Sequence, residues 1–251
     1  MTDRPGFPAL DCHAHIATDV TATQLATLNG AHILAVTRTL AEASVVAPRT
    51  DPTLMWGIGV HPGVAAARSA YSSDLFRDLL PMFALVGEVG LDRRAGRAEQ
   101  EAVFTDIMAA CNDQPVLISI HSTGCTREVI ETVERHSHPG VVLHWFLGTA
   151  DERSRALASG AYFSVNDAMD DDLLRSLPMN RVLPETDFPA KQVRARVPGA
   201  IVPLEERLAR LWARSTVDVR YQLWHNLKSI TIESGAIERV SDEWADRLIA
   251  I

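Results

Sequence analysis

The sequence A-L-D-C-H-A-H at residues 9–15 ends a short apolar run with two histidines spaced i, i+2. Alternate side chains of a β-strand lie on the same face, so His13 and His15 can bind one metal ion together. Cys12 would then face the other way and pack against neighbouring residues. A lone His-x-His pair is as often structural as it is metal-binding, so the rest of the chain has to distinguish these two interpretations.

The same pattern recurs at five places further along the chain. A histidine or an acidic residue stands at or just beyond the end of a short apolar run, and these residues are His61, Glu88, His121, His144 and Asp187. Apolar runs of this length, bounded by turn residues, are typical of buried parallel strands. Side chains at the carboxyl ends of successive parallel strands converge if the strands close into a barrel. The pattern therefore predicts one metal-dependent active site.

Eight strands can be predicted from these runs and from similar apolar segments. They cover Ala9–His15, Ile33–Thr37, Met55–Val60, Ala84–Val89, Val116–His121, Val141–Trp145, Ala161–Val165 and Arg181–Pro184. Amphipathic segments predict helices over Ala98–Asn112, Cys125–His136, Ala150–Ser159, Asp170–Leu177, Ile201–Arg214, Val217–Leu227 and Ser241–Ile251. The repeated strand–helix pattern favours an α/β fold, a (β/α)8 TIM barrel, over an open doubly wound sheet. Such barrels typically need about 250 residues, which suits a single domain over residues 1–251.

The composition predicts a sizeable core and an acidic surface. Of the 251 residues, 47% are hydrophobic, and the formal net charge is −8. This charge argues against a broad nucleic-acid-binding surface, but not against a small nuclease site where metal ions supply the positive charge. The 3 cysteines are widely spaced, and we find neither a secretory signal nor an apolar run of membrane-spanning length. We therefore expect a reduced, cytoplasmic protein that does not enter a membrane.

Glu88 is the candidate for a ligand shared between two ions. It lies between glycines in V-G-E-V-G-L-D at residues 86–92, where small neighbours allow the chain to pack closely around a carboxyl group. The two oxygens of a carboxylate can bridge two cations. The alternative is an ordinary strand-end glutamate paired with Arg93 or Arg94, and Glu88 taken alone does not separate the two interpretations.

The later candidates also have structural alternatives. Buried histidines such as His121 and His144 are more often hydrogen-bonded core residues than ligands. Two of them at the same depth on adjacent strands nevertheless favour a second metal ion. Asp187 follows the last predicted strand, where it could ligate the first ion and accept a proton from water.

Six motifs together resemble the TatD family, which contains metal-dependent deoxyribonucleases and related hydrolases of the amidohydrolase superfamily. They are D-C-H-A-H (11–15), G-V-H-P (59–62), G-E-V-G-L-D (87–92), I-H-S (120–122), L-H-W-F-L-G (143–148) and P-E-T-D-F-P (184–189). The motifs occur in the family's order, and the resemblance covers residues 10–190. A weaker similarity continues to Asn226, since the family often has an asparagine in a late helix.

The resemblance implies a metallo-dependent hydrolase barrel with a site for two divalent ions. His13, His15 and Asp187 match the positions that hold the first ion. Glu88 matches the bridging position, while His121 and His144 match the ligands of the second ion. His61 matches a family histidine that faces substrate phosphate, although a structural, hydrogen-bonded histidine is an equal alternative.

The resemblance also implies a reaction. Two ions would acidify a shared water and neutralise a phosphodiester, with Asp187 as the proton acceptor and Glu88 holding the ions. Glu185, two residues before Asp187, could order the groups that surround the ligands or hold Asp187 in place. Imidazole ligands suit Zn or Mn better than Mg by ligand softness, but family members are often Mg- or Mn-dependent. The native ion therefore stays open among Zn, Mn and Mg.

One departure from the family concerns the phosphate-binding groups. Relatives commonly carry arginine soon after the strand-five histidine, whereas this chain has His121-Ser122-Thr123. The substitutes in the loop after Glu88 are Arg93, Arg94 and Arg97, and those after Asp187 are Lys191, Arg194 and Arg196. For each of these residues a solvated loop position is the plainer interpretation. We expect Arg93, Arg94 and Lys191 to contact the substrate.

Trp145 is a second departure, because relatives often have a small residue or cysteine beside this histidine. Its side chain could stack on a nucleic-acid base or simply fill the barrel mouth. The H-W-F and T-D-F-P spellings at residues 144–146 and 186–189 faintly resemble a TatD-like branch associated with bacterial Qat anti-phage defence systems.

Three hypotheses on function follow. The first is a two-metal phosphodiesterase or deoxyribonuclease whose partner is nucleic acid, namely DNA ends or single-stranded DNA. The second is a hydrolase on the same barrel that cleaves an amide, ester or lactone, because the same activated water serves both chemistries. The third is a weakly active binding component of an anti-phage defence complex, with partner proteins. The intact ligand set argues against the third hypothesis.

Overall fold

A computed structural model describes residues 6–251 of the chain, and its centre is a single ring of parallel strands. Eight strands pair in sequence order, each with the next one in the chain. They are β1 (Leu10–Ala14), β2 (His32–Ala35), β3 (Leu54–Ile58), β4 (Leu85–Gly90), β5 (Leu117–His121), β6 (Val141–Leu143), β7 (Tyr162–Val165) and β8 (Val182–Pro184). Each lies within two residues of its predicted bounds.

The last strand returns to the first one, which closes the ring. The backbone N–H of Asp187 donates to the carbonyl oxygen of His13 over 2.9 Å, and the N–H of His15 donates to the carbonyl oxygen of Phe188 over 2.8 Å. These hydrogen bonds join β1 to the segment directly after β8. The fold is therefore the predicted (β/α)8 barrel, in which the carboxyl ends of all strands open on one face.

Eleven α-helices surround the described part of the barrel. They are α1 (Ala22–Ala26), α2 (Leu40–Val46), α3 (Ala65–Ser69), α4 (Ser73–Leu79), α5 (Arg97–Cys111), α6 (Thr126–Arg135), α7 (Ala150–Ala158), α8 (Asp171–Ser176), α9 (Val202–Trp212), α10 (Thr216–Glu233) and α11 (Asp242–Ile249). Three short 3-10 helices lie at Leu80–Met82, Met179–Arg181 and Ala236–Glu238.

The helices from α5 onward confirm the predictions, while α1 to α4 were not predicted. These four helices span between 5 and 7 residues each, too few for a clear amphipathic period. Helix α10 extends past its predicted end at Leu227 to Glu233. The added turns contain β-branched residues of low helix propensity, but Ile230 and Thr231 are fully buried. Burial therefore outweighs local propensity there.

Helices α10 and α11 cover the amino-terminal ends of the strands. Trp224 and Trp244 pack in one buried cluster with strand residues such as Leu34, and Cys12 belongs to the same cluster, which confirms the prediction that it packs. The indole N–H of Trp224 donates to the carbonyl oxygen of Pro8 over 2.9 Å. This end of the barrel is thus closed, which leaves the opposite end for a site.

Asn226 serves this closure rather than the chemistry. Its side-chain amide, almost fully buried, donates to the carbonyl oxygen of Met179 over 2.8 Å and to that of Val182 over 2.7 Å. The similarity to the family asparagine therefore has a structural reason, since the amide fixes the start of β8 to α10.

Replacing Asn226 with alanine is expected to lower the free energy of unfolding by about 1–3 kcal/mol, because two buried carbonyl groups lose their donor. Chemical denaturation of the variant measures the loss. His225→Ala is the matched control, since this neighbour on α10 is exposed and its loss should change stability by less than about 0.5 kcal/mol. Equal stability of both variants would contradict the anchoring function of Asn226.

Among the described helices, none is long and apolar enough to cross a membrane.

Candidate metal centre

The carboxyl-terminal ends of β1, β4, β5, β6 and β8 bring the six predicted ligands together. Five of them are buried, and the side chain of Asp187 is 14% exposed. The group divides into two sets of side-chain atoms, one on each side of Glu88. The residues are His13, His15, Glu88, His121, His144 and Asp187.

The first set contains Nε2 atoms from both histidines of the His-x-His pair. Nε2 of His15 lies 3.0 Å from Oε2 of Glu88 and 4.0 Å from Oδ1 of Asp187. Nε2 of His13 lies 3.6 Å from the same glutamate oxygen and 3.8 Å from the same aspartate oxygen. Two nitrogens and two oxygens thus converge around one point, which suits a divalent ion bound by imidazole and carboxylate.

The second set lies on the other oxygen of Glu88. Oε1 is 2.5 Å from Nδ1 of His121 and 3.2 Å from Nε2 of His144, and these two nitrogens are 3.3 Å apart. The two oxygens of Glu88 therefore face separate groups of imidazoles, as the predicted bridging arrangement requires. The alternative pairing of Glu88 with an arginine is wrong, since its contacts within residues 6–251 are histidines.

Glycines around Glu88 make this arrangement sterically possible. A Cβ atom at Gly87 would lie 3.0 Å from side-chain carbons of Val36 and Ser119. Gly90 has a φ of +134°, and a Cβ atom there would lie 2.1 Å from the carbonyl oxygen of His121. The glycines of the V-G-E-V-G motif thus allow β4 to pack closely against β5, which places Glu88 beside His121.

In three of these imidazoles, those of His13, His121 and His144, the nitrogen that points away from the centre lies near a polar side chain. Nδ1 of His13 lies 2.8 Å from the hydroxyl of Ser119, and Nε2 of His121 lies 3.1 Å from Oδ2 of Asp92. Nδ1 of His144 lies 3.4 Å from Oε2 of Glu185. Contacts of this kind set the ring orientation and the tautomer of histidines that bind metals.

Two of these orienting groups could not be assigned from the sequence. Ser119 gives no signal of its own, and Asp92 was visible only as the last letter of the G-E-V-G-L-D motif. Glu185 was predicted to order the groups around the ligands or to hold Asp187, and the residue that it contacts is the ligand His144. Its carboxylate is also bound by the amide of Asn166 over 2.9 Å and by the hydroxyl of Ser164.

The charges of the centre are strongly coupled. Burial alone would raise the pKa of Glu88, but the neighbouring His121 and His61 outweigh it and hold that pKa well below its usual range. Burial raises the pKa of Asp187 to about 7, and burial lowers that of His13 to about 4. The centre therefore combines an ionised glutamate with an aspartate that can exchange a proton near neutral pH.

These residues fit a bound metal ion in a way that they do not fit an ordinary buried network. Nε2 of His13 and Oε2 of Glu88 are buried, and neither has a hydrogen-bond partner among residues 6–251. Unpaired buried polar atoms are costly, and these two point into the same ligand group. Within residues 6–251, three overlapping groups have ligand-type atoms close enough to hold an ion: His13, His15 and Glu88; His13, His144 and Asp187; and His61, Glu88 and His121.

His61 lies at the edge of this centre. Its Nε2 is 3.3 Å from Oε2 of Glu88, and its ring centroid is 5.2 Å from that of His121. The backbone N–H of Gly63 donates to Nδ1 over 2.9 Å, so a neutral His61 carries its proton on Nε2. Burial lowers the pKa of His61 to about 4, which favours that neutral form. A protonated Nε2 donates hydrogen bonds and does not ligate a metal.

A cavity of about 630 Å³ lies above the centre at the mouth of the barrel. Arg93, Arg94 and Trp145, all predicted to contact substrate, line it. Lys191 is exposed and is not part of the lining, whereas its neighbour Gln192 is. Arg38, which follows β2, also lines the cavity. It was not predicted, because arginine is not a metal-ligand type and only such residues were sought at the strand ends.

Arg94 lines the cavity, and it is also paired with an acidic residue. Its guanidinium contacts both oxygens of Asp92, at 2.9 Å and 2.5 Å, and Asp92 in turn contacts His121. Burial would raise the pKa of the Asp92 carboxyl, but His121 and Arg94 together hold that pKa well below its usual range. Arg94 is thus engaged in supporting a ligand histidine.

The fold and the centre together define a class: a TIM-barrel hydrolase with a histidine- and carboxylate-lined site of metal-binding type. The family model described as TatD related DNase matches residues 10–231. The chain belongs to this family of hydrolases.

Relatives and solved structures agree with this assignment. The chain is 30% identical to the 3'-5' ssDNA/RNA exonuclease TatD of Edwardsiella piscicida over 68% of this chain and 72% of that protein. It is 30% identical to the corresponding protein of Cronobacter turicensis over 52% of this chain and 56% of the relative. The crystal structure of YjjV, a TatD homologue from Escherichia coli, superposes with a TM-score of 0.75 at 20% identity, over 88% of this chain and 96% of that one.

Proposed function

We propose that the protein is a two-ion phosphodiesterase that cleaves single-stranded nucleic acid at or near its ends. The observation that carries this proposal is the division of Glu88, whose two carboxylate oxygens face separate groups of imidazoles. A shared carboxylate between two ligand groups is the arrangement found in two-metal phosphoesterases. The name of the relatives, ssDNA/RNA exonuclease, supports the same substrate class.

The residues would divide the reaction between them. His13, His15 and Asp187 would hold one divalent ion, and His121 and His144 the other, with Glu88 shared. Bound divalent ions supply positive charge that acidifies water and offsets the negative charge of a phosphodiester. Imidazole and carboxylate ligands together suit Zn or Mn, and carboxylate oxygens also suit Mg.

Asp187 is the proposed proton acceptor. Its Oδ1 lies beside both histidines of the first set, at 3.8 Å and 4.0 Å. A carboxylate at this position could accept a proton from the attacking water. His61 would donate a hydrogen bond from Nε2–H to a phosphate oxygen, as its neutral tautomer allows.

The depth of the centre favours single strands. Glu88 is 1% exposed at the bottom of the cavity, so a phosphodiester has to enter the barrel mouth to reach it. The backbone of a stacked, paired duplex cannot enter a cavity of about 630 Å³, whereas one unpaired nucleotide can.

The test is a substrate panel on the purified protein loaded with Mn. It contains labelled single-stranded DNA, the same strand in a blunt duplex, single-stranded RNA, and a chromogenic carboxylic ester. We expect cleavage of the single strands, slower cleavage of the duplex, and complete loss of activity after chelation. Cleavage of the ester alone by the metal-loaded protein would overturn the proposal in favour of a carboxylic ester hydrolase.

Metal affinity is expected to fall as the pH is lowered from about 8 to about 6, because protons compete with the ion. Asp187 ionises near pH 7 in the metal-free protein, so below that pH it is mostly protonated and has to lose a proton to bind. Titration with Mn at several pH values measures this dependence, and the Asp187→Asn variant should show a weaker pH dependence. An affinity of the unsubstituted protein that does not change with pH over this range would contradict the ligand assignment of Asp187.

A further inference from the structure

The cavity above the metal centre has two chemically different sides. The loops after β2 and β4 contribute the cations Arg38 and Arg93, and the loop after β3, which lies between them in the barrel, contributes the neutral His61. The loops after β6 and β8 contribute mostly apolar side chains, namely Trp145, Leu147, Pro189 and Ala190. A ligand that fills the cavity therefore meets cationic groups on one side and an apolar wall on the other.

Two arginines on the cationic side have no acidic partner in the described part of the chain. The hydrogen bonds of Arg38 involve its backbone: its N–H donates to Glu42, and its carbonyl oxygen accepts from the N–H of His61, which leaves its guanidinium available. Arg94 and Arg97 differ, since Arg94 is paired with Asp92 and Arg97 with acidic residues of α5 and α6. In an acidic chain, unpaired guanidinium groups beside a cavity point to an anionic ligand.

The position of Arg93 is built into the fold. Its backbone N–H donates to the carbonyl oxygen of Thr123 over 3.0 Å, which ties the loop after β4 to the loop after β5. Its side chain lies across Gly124, where a Cβ atom would approach the Arg93 Cδ to 2.3 Å. The guanidinium is thus directed over the strand-five loop at the rim of the cavity.

The opposite wall presents a flat aromatic surface. Trp145 is half-buried and has a φ of +42°, a left-handed conformation that costs about 1–3 kcal/mol for a residue with a side chain. Its indole Nε1 is buried and has no hydrogen-bond partner among the described residues. Leu147 next to it is 63% exposed. Strain and exposed apolar surface at a cavity wall are features of a binding surface rather than of a core.

We propose that Arg38 and Arg93 bind the phosphate that flanks the scissile one, while Trp145 and Leu147 carry the base of the nucleotide that is released. This inference rests on the proposed phosphodiesterase function and specifies how the substrate lies in the cavity. Under the proposed function, the scissile phosphate would have the two ions and His61 as its partners. The cavity has room for about one nucleotide, so the next phosphate of the strand lies at the rim, near Arg93.

The arginine part is tested with a neutral phosphate. A single-stranded oligonucleotide is compared with the same strand carrying a methylphosphonate at the flanking position, which removes one negative charge. For the natural strand we expect Arg38→Ala and Arg93→Ala each to lower kcat/KM by about ten- to a hundredfold, the size of a charge-assisted hydrogen bond. For the methylphosphonate strand the same substitutions should change kcat/KM by less than about threefold.

Arg97→Ala is the matched control, because this arginine of α5 is paired with Glu101 and Glu128 and does not line the cavity. It should leave kcat/KM unchanged on both strands. Metal content and thermal unfolding of all variants exclude a loss of the centre or of the fold. An equal penalty on the natural and neutral strands, with normal metal content, would overturn the assignment of Arg38 and Arg93.

The base wall is tested with an abasic end. We expect Trp145→Ala to raise KM about tenfold for a strand with a terminal base, since stacking on an aromatic ring is lost. A strand with an abasic terminal nucleotide should bind the unsubstituted protein and the variant equally. A tenfold penalty on both strands would show that Trp145 only fills the barrel mouth and would overturn this part.

Failure of this inference differs from failure of the proposed function. If the unsubstituted protein with Mn cleaves no phosphodiester at all, the proposed function is wrong. If it cleaves the natural strand while the arginine and tryptophan variants behave as the Arg97→Ala control does, the function stands and the substrate orientation is wrong.

Discussion

Replacing Glu88 with glutamine is expected to lower hydrolysis by about 10³-fold or more and to reduce bound metal well below two ions per chain. Glutamine keeps the shape of the side chain but removes the negative charge and one of its two acceptor oxygens. Since Oε1 and Oε2 of Glu88 face different ligand groups, one substitution affects both proposed ions at once.

Elemental analysis of the purified variant and its kcat on a single-stranded oligonucleotide measure the two effects. The matched control is Glu206→Gln, an exposed glutamate on α9 that should leave metal content and kcat unchanged. Thermal unfolding shows whether the barrel is intact. A folded Glu88→Gln variant with normal metal content and normal kcat would contradict the bridging assignment.

Asp187→Asn should lower kcat by about 10²- to 10⁴-fold, because the proposed proton acceptor is lost. Asparagine is the suitable replacement, since Asp187 has a φ of +45° and asparagine tolerates the left-handed region better than most residues. The backbone hydrogen bond from residue 187 to His13 is also retained. The variant therefore tests the carboxylate with little effect on barrel closure.

Measuring kcat at increasing Mn concentration separates the two proposed functions of Asp187. If the carboxylate only holds an ion, excess Mn should restore kcat toward the unsubstituted value. If it accepts the proton, kcat stays low even when elemental analysis finds the normal metal content. Full restoration by Mn would rule out Asp187 as the general base and leave it as a ligand.

The barrel could be predicted because its strands are buried on both faces and therefore appear as uninterrupted apolar runs. Each such run ends where a polar side chain reaches the open face, so the strand ends and the candidate ligands were found together. Helices α1 to α4 were missed because short helices next to a barrel have few positions that must be apolar. Helix α1, for example, buries none of its residues.

The support of the site depended on contacts that have no sequence pattern. Ser119 and Asp92 orient His13 and His121 across separations of 106 and 29 residues along the chain. Arg38 lines the cavity only because β2 stands beside β3 in the barrel. Such contacts arise from strand order and side-chain direction, which local periodicity does not contain.

The barrel, its open face and the six residues that gather there could be predicted from the sequence, since hydrophobic periodicity and ligand-type side chains are local properties of the chain. The division of those six residues into two groups depends on the three-dimensional arrangement of the strands. The distances assign the oxygens of Glu88 to different imidazoles, engage Arg94 with Asp92, and leave Arg38 and Arg93 unpaired within residues 6–251. Charged groups interact according to their distance in space, and the number of residues between them along the chain does not give that distance.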